Sequence, residues 1–284
     1  MSAITAVVMA GSRPGGDPFA QAHGTDLKPL IPVAGEAMVR RPVGALLESR
    51  AVNRVLVLTQ QPERIGAVLP ADPRLTVARS GDTIAATVLA LVDDPATEWP
   101  LLITTADHAL LSEATIEEFV ATADGADLAV GVVEKSILMK RLPQSKRTWI
   151  PFRGGAYTGA NLFLLHSPKV RAAIELWRSV EQDRKKGWRL LAAFGPAVLL
   201  GAVLRLRTLD QSLAALGRRL GLSIRAVQLC DPLAAVDVDK EEDLRLVESI
   251  LAGGGTGNLP FMSSEVETRP STTLGTDGMG DEQP

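Results

Sequence analysis

The chain has 284 residues, 46% hydrophobic and 22% charged, enough to bury the core of one large domain or two small ones and close to an ordinary soluble globular protein. Its single cysteine, Cys230, excludes an intramolecular disulfide framework and, with no basic-then-apolar leader before the first apolar run, points to a reducing, cytoplasmic setting. The formal net charge is −3, but from Gly253 onward five acids face one base, which leaves the rest of the chain at +1 and excludes the strongly basic footprint of a nucleic-acid-binding protein.

Short runs rich in Val, Ile and Leu alternate with helical patterns. Strands are predicted at Ile4–Met9, Val55–Thr59, Leu75–Ala78, Leu101–Thr105, Leu128–Val133, Asn161–Leu165 and Ser223–Gln228. Helices are predicted between them at Ala37–Ser49, Pro62–Leu69, Thr83–Val92, Glu113–Ala123 and Pro168–Glu181. Strands repeatedly followed by helices predict an α/β/α sandwich with a mostly parallel, mixed central sheet. One domain spans residues 1–252, with an excursion at 135–160 and an apolar helical insertion at 184–222. Residues 253–284, rich in Gly, Ser, Thr and Pro, read as a disordered tail.

In such sheets ligands bind beyond the carboxyl ends of the strands, so chemistry is sought there. The first strand ends in Ala10-Gly11-Ser12-Arg13-Pro14-Gly15-Gly16, with Lys28-Pro29-Leu30 following and then Val33-Ala34-Gly35. A triphosphate needs backbone N–H groups that approach closely, which Ala10, Gly11 and Ser12 offer, and fixed cations, which Arg13 and Lys28 offer. No Gly-Lys-Ser/Thr follows, so the loop is not a P-loop. The plain alternative is a surface loop.

A second candidate is Asp107, at the end of the buried-type strand Leu101–Thr105, where a carboxylate beside a phosphate loop suits Mg²⁺. His108 reads as a turn residue, and neither His23 nor His166 has a His or Cys partner at metal spacing. A third is Asp237-Val238-Asp239, whose carboxylates share one side of an extended chain and call for a cation or water between them. The plainer alternative makes Asp239 a helix cap, with Glu242 completing a capping box. Arg79-Ser80-Gly81-Asp82-Thr83 opens a helix after the third strand. Between Lys135 and Arg153 lie six bases and no acid, followed by the glycine-rich entry to Asn161. That composition suits an acceptor phosphate, through Lys135, Arg153, Tyr157 and Asn161; a solvated surface hairpin is the alternative.

Ala-Gly-x-Arg, Lys-Pro-Leu, the strand ending in Asp107 and the closing Asp237-Val238-Asp239-Lys240-Glu241-Glu242-Asp243-Leu244 together resemble the nucleotidyltransferases of the GT-A-like fold, MobA-like enzymes among them. The resemblance implies a Mg²⁺-dependent transfer of a nucleoside monophosphate from CTP or GTP to a small phosphorylated acceptor. It assigns catalytic roles to Arg13 and Lys28, nucleotide contacts to Ser80 and Gly81, and Mg²⁺ to Asp107 and Asp237 with Asp239 in close support. Two rivals stay open: a glycosyltransferase of the same fold using a nucleotide-sugar, for which Asp237-Val238-Asp239 has the spelling, and a nucleotide-binding module without turnover.

Residues 188–204 carry one charge, Arg189, between basic flanks, too short and too interrupted by Gly195-Pro196 to span a bilayer. Burial or self-association is one reading of 184–207, and peripheral contact with a membrane surface the other. The sequence leaves the oligomeric state open.

Overall fold

The structure is a computed structural model and describes residues 3–12, 16–182 and 206–253. The expectations for Arg13, for 188–204 and for the tail from 254 lie outside the described residues.

The described chain runs β1 (Ile4–Met9), α1 (Pro18–Ala22), a 3-10 turn (Lys28–Leu30), β2 (Pro32–Val33), β3 (Glu36–Ala37), α2 (Arg40–Glu48), β4 (Val52–Thr59), α3 (Pro62–Gly66), β5 (Leu75–Arg79), α4 (Ile84–Asp93), β6 (Leu101–Thr105) and α5 (Glu113–Thr122). It continues through β7 (Leu128–Glu134), α6 (Lys135–Arg141), β8 (Ile150–Phe152), β9 (Gly155–Leu165), α7 (Arg171–Gln182), α8 (Leu209–Leu220), β10 (Ile224–Gln228) and α9 (Glu241–Ala252). The strands order as β10-β7-β9-β6-β1-β4-β5, with β8 on β9. Within this sheet every pairing is parallel except those of β9, which runs against β6, β7 and β8. This is the mixed, mostly parallel sheet that the alternating pattern predicts.

All six residues of β1 are buried because the strand is central and covered on both faces. Its alternation divides the core: Ile4, Ala6 and Val8 pack with the helices carrying Val43, Phe119 and Val247, and Val7 and Met9 pack with Val88, Leu89 and Ile174. Thus α2, α5, α6 and α9 cover one face, and α4 and α7 the other. Two of these helices open on side-chain caps, with the Thr83 hydroxyl accepting from Ala86 N–H and the Ser112 hydroxyl from Thr115 N–H.

Three expectations need correction. The helix predicted at Ala37–Ser49 starts only at Arg40, because Glu36–Ala37 pairs with Pro32–Val33 in a hairpin. Ala34 and Gly35 turn it at φ +49° and +85°, a left-handed pair that a helical period cannot reveal. The strand predicted at Asn161–Leu165 begins six residues earlier, at Gly155. The capping box on Asp239 is not formed: Lys240 is the cap residue, Glu242 pairs with Lys240, and the Asp239 N–H donates to Asp243. The Asp239 side chain is committed elsewhere.

Candidate active site

The carboxyl ends of β1, β4, β5 and β6 open on a cleft of about 780 Å³ lined by, among others, Gly11, Ser12, Lys28, Gln60, Ser80, Gly81, Asp107 and Asp239. Parallel strands leave their carboxyl ends at one rim, and the residues just past them converge there. Ala10 is buried as the last rung of that ladder, its N–H donating to Leu58.

Lys28 is the centre of the arrangement. Its Nζ donates to Asp107 Oδ2 and to Asp239 Oδ1, each at 2.6 Å, although these carboxylates lie 79 and 211 residues away in sequence. The lysine is only 16% exposed. Burial opposes its charge, but the two carboxylates outweigh burial and hold its pKa above the ordinary lysine value. Asp107 is steadied on its other oxygen by Thr105 Oγ1 at 2.5 Å. Its carbonyl accepts from Val238 N–H at 3.0 Å, which pins the 237–239 segment beside it.

Asp237 has a different environment from Asp239. Arg147 grips both its oxygens, at 2.5 and 2.9 Å, and Asn161 Nδ2 donates to one of them at 3.1 Å. Burial alone would raise the Asp237 pKa, but Arg147 prevails and lowers it. Its two oxygens are committed to these partners, whereas Asp107 and Asp239 share the Lys28 ammonium. Residues 236–239 belong to no strand of the sheet, so the strand alternation expected for the two aspartates does not apply. Asn161 reaches Asp237 because β9 is irregular there. The register against β7 shifts between Val130 and Val132, and Asn161 sits at φ +49°, a conformation asparagine tolerates.

The structure therefore brings Lys28, Asp107 and Asp239 together with Ser12, Ser80 and Gly81, and it sets Asp237 and Asn161 against them. Lys135, Arg153, Tyr157, Asn161 and Asp237 do not line the cleft, although Asn161 and Asp237 lie beside Asp107 through the pinned 237–239 segment. Lys135 lies over the Trp149 ring, the Arg153 N–H donates to Arg207, and Tyr157 packs near Phe152. Of the six bases in that segment, Arg147 is the one that pairs with Asp237, and its sequence neighbours gave no sign of it. Gln60 was also missed; its only signal was its place one residue past a strand.

The loop carrying Ser80 and Gly81 is held by Thr87, which accepts from Gly81 N–H at 3.1 Å while donating to Thr83 at 2.7 Å. The Ser12 and Ser80 hydroxyls are buried, with no hydrogen-bond partner among the described residues. Buried hydroxyls normally find partners, which sets these two apart from the other polar groups of the two loops.

His108 sits beneath the site, 1% exposed, with Nδ1 3.2 Å from Thr104 Oγ1. Burial pushes its pKa from 6.5 down to about 4, against the pull of Asp107 and Asp237. The unfolded chain takes up this proton near pH 6.5, and the folded chain refuses it until about pH 4. Stability is therefore lost as pH falls through that window, by about 3 kcal/mol in total. Urea unfolding at pH 7 and pH 4.5 should show a smaller acid loss for His108→Asn than for the wild type.

The MobA-like NTP transferase domain matches residues 6–220 of this chain. The chain belongs to the MobA-like NTP transferase family. A hypothetical transferase from Thermus thermophilus is 31% identical, with a TM-score of 0.71 over 86% of this chain and all of the other. The 4-diphosphocytidyl-2C-methyl-D-erythritol synthase of Anaerococcus prevotii shares the fold at 11% identity, TM-score 0.57, over 88% of this chain and 96% of its own. A CMP:2-keto-3-deoxy-manno-octonic acid synthetase complexed with CTP does so at 14% identity, TM-score 0.55, over 89% of this chain and all of the other. No curated protein sequence matches the chain. Family membership makes this transferase a nucleotidyltransferase.

Proposed function

We propose that this transferase moves a nucleoside monophosphate from CTP or GTP to a small phosphorylated acceptor, with magnesium, and releases pyrophosphate. The observation that carries the reading is Lys28 between Asp107 and Asp239, facing a cleft with two unsatisfied hydroxyls. The CTP bound to the octonic acid synthetase and the cytidyl product named for the erythritol enzyme support the choice of nucleotide class.

The ammonium of Lys28 occupies the position of a cation shared by two carboxylates. One or two carboxylates completed by phosphate oxygens is the donor set magnesium takes, so Asp107 and Asp239 fit it; Asp237 is tied up by Arg147. Magnesium bound there would withdraw charge from the phosphate oxygens.

The chain's own residues do the rest. Lys28, freed from its carboxylates by an arriving triphosphate, places its charge on the phosphates and offsets the charge gathering on the leaving pyrophosphate. An acceptor phosphate oxygen is already ionised and attacks the α-phosphorus in line. A bond from that oxygen to the α-phosphorus forms as the α–β bridging bond breaks, and no general base is required. Ser12 and Ser80 orient the nucleotide, and the Arg147–Asp237–Asn161 group holds the segment that carries Asp239 in place.

Magnesium dependence checks the metal assignment. Pyrophosphate release should fall to background with excess EDTA and return on adding Mg²⁺ beyond the chelator. Release that persists in EDTA would sink the assignment.

A further inference from the structure

We propose that Gln60 is a positioning residue: its carboxamide clasps the loop after β1 to the loop after β5 and so sets the nucleotide cleft before ligand arrives. The proposal rests on the nucleotidyl-transfer reading above. Gln60 is the first residue past β4, and β4 lies between β1 and β5 in the sheet. A side chain at that point of the rim has both neighbouring loops within reach.

Both ends of the carboxamide are used. Oε1 accepts from Ser12 N–H at 2.9 Å, and Nε2 approaches the Gly81 carbonyl at 3.5 Å, a longer contact. The Ser12 N–H is a donor, so the atom it meets has to be the oxygen, and this fixes the orientation of the amide. The Gln60 backbone is held as well, its carbonyl accepting from Arg79 at 3.2 Å. A Cβ on Gly11 would fall 3.0 Å from Nε2 and 3.1 Å from Oε1. Gln60 therefore fills the space that any side chain at position 11 would need.

The residues the clasp touches, Gly11, Ser12 and Gly81, all line the cleft. The unpartnered hydroxyls of Ser12 and Ser80 sit at its two ends. Holding the loops together fixes the spacing of these hydroxyls, so the cost of ordering them is met on folding and not on binding. Gln60 belongs to neither hydrophobic cluster of the core. Its removal should act on affinity and leave the fold standing.

The test is calorimetric titration of the full chain with the magnesium complexes of ATP, CTP, GTP and UTP, beside thermal melts. Gln60→Ala should weaken the nucleotide that the wild type prefers by about tenfold, the scale of one lost hydrogen bond, with little change in melting temperature. Gln60→Met, which keeps the bulk and loses both polar contacts, should weaken it equally. Gly11→Ala should cost about tenfold in the wild type but about twofold or less in Gln60→Ala, because the atoms its Cβ would strike are gone. Unchanged affinity in both Gln60 variants overturns the clasp and leaves the nucleotide reading standing. So does a Gly11→Ala penalty of the same size in both backgrounds, which would place the constraint on the ligand. Failure of all four nucleotides to bind the wild type defeats the proposed function itself, and the clasp with it.

Discussion

Lys28→Met is expected to lower turnover by about 10³-fold, the scale found when a charge-stabilising donor is removed from a preorganised site. Methionine keeps much of the stem and its packing, so what is lost is the ammonium. In the wild type that ammonium sits 2.6 Å from each of two carboxylates and is 16% exposed. Its removal leaves Asp107 and Asp239 facing each other without a cation, which lowers the melting temperature in metal-free buffer. Added Mg²⁺ should then raise the melting temperature of Lys28→Met by more than that of the wild type, where the lysine competes for the same oxygens. The variant separates two roles: its catalytic defect persists with magnesium while its stability defect is repaired. Steady-state pyrophosphate release and thermal melts with and without Mg²⁺ read both.

The second large effect is expected at Asp107. Asp107→Ala removes one of the two carboxylates that fit magnesium, strips Lys28 of one anchor and leaves Thr105 Oγ1 without its acceptor. Turnover should fall by about 10³-fold or more. The fold should survive, because the Val238 N–H bond goes to the Asp107 backbone carbonyl, which alanine retains. Asp237→Ala acts differently, since it frees Arg147 and Asn161 and loosens the segment that carries Asp239.

The sheet was legible because its strands are buried on both faces and so appear as plain apolar runs; β1, β6 and the Val55–Thr59 part of β4 are of this kind, while exposed Asn53 and Arg54 hid the start of β4. The β2–β3 hairpin was not, because it depends on left-handed conformations at Ala34 and Gly35. The early start of β9 was missed for a related reason. Gly155 to Ala160 are small or polar, and they join the sheet through pairing with β7 and β8, a tertiary fact.

At the site, Lys28, Asp107 and the 237–239 acids were legible from their positions beyond strands and from the family pattern. Which of the two late aspartates would face Lys28 was not. That choice is made by Arg147, reaching Asp237 from 90 residues away, and by the bulge that aims Asn161. The six bases of the 135–153 segment look alike in sequence. Only the fold distinguishes Arg147 at Asp237 from Lys135 over Trp149 and exposed Arg153. Gln60 illustrates the same limit, since a glutamine after a strand carries no signal until the loops beside it are in place.

The central claim is that Lys28, Asp107 and Asp239 form one triphosphate–magnesium centre for nucleotidyl transfer. It is tested most directly by measuring pyrophosphate release from each of the four nucleoside triphosphates, with Mg²⁺, against a panel of phosphorylated alcohols, sugars and polyols. The account predicts acceptor-dependent release with CTP or GTP in the wild type and near-complete loss in Asp107→Ala. No release with any nucleotide, or near-normal release by Asp107→Ala, would contradict it.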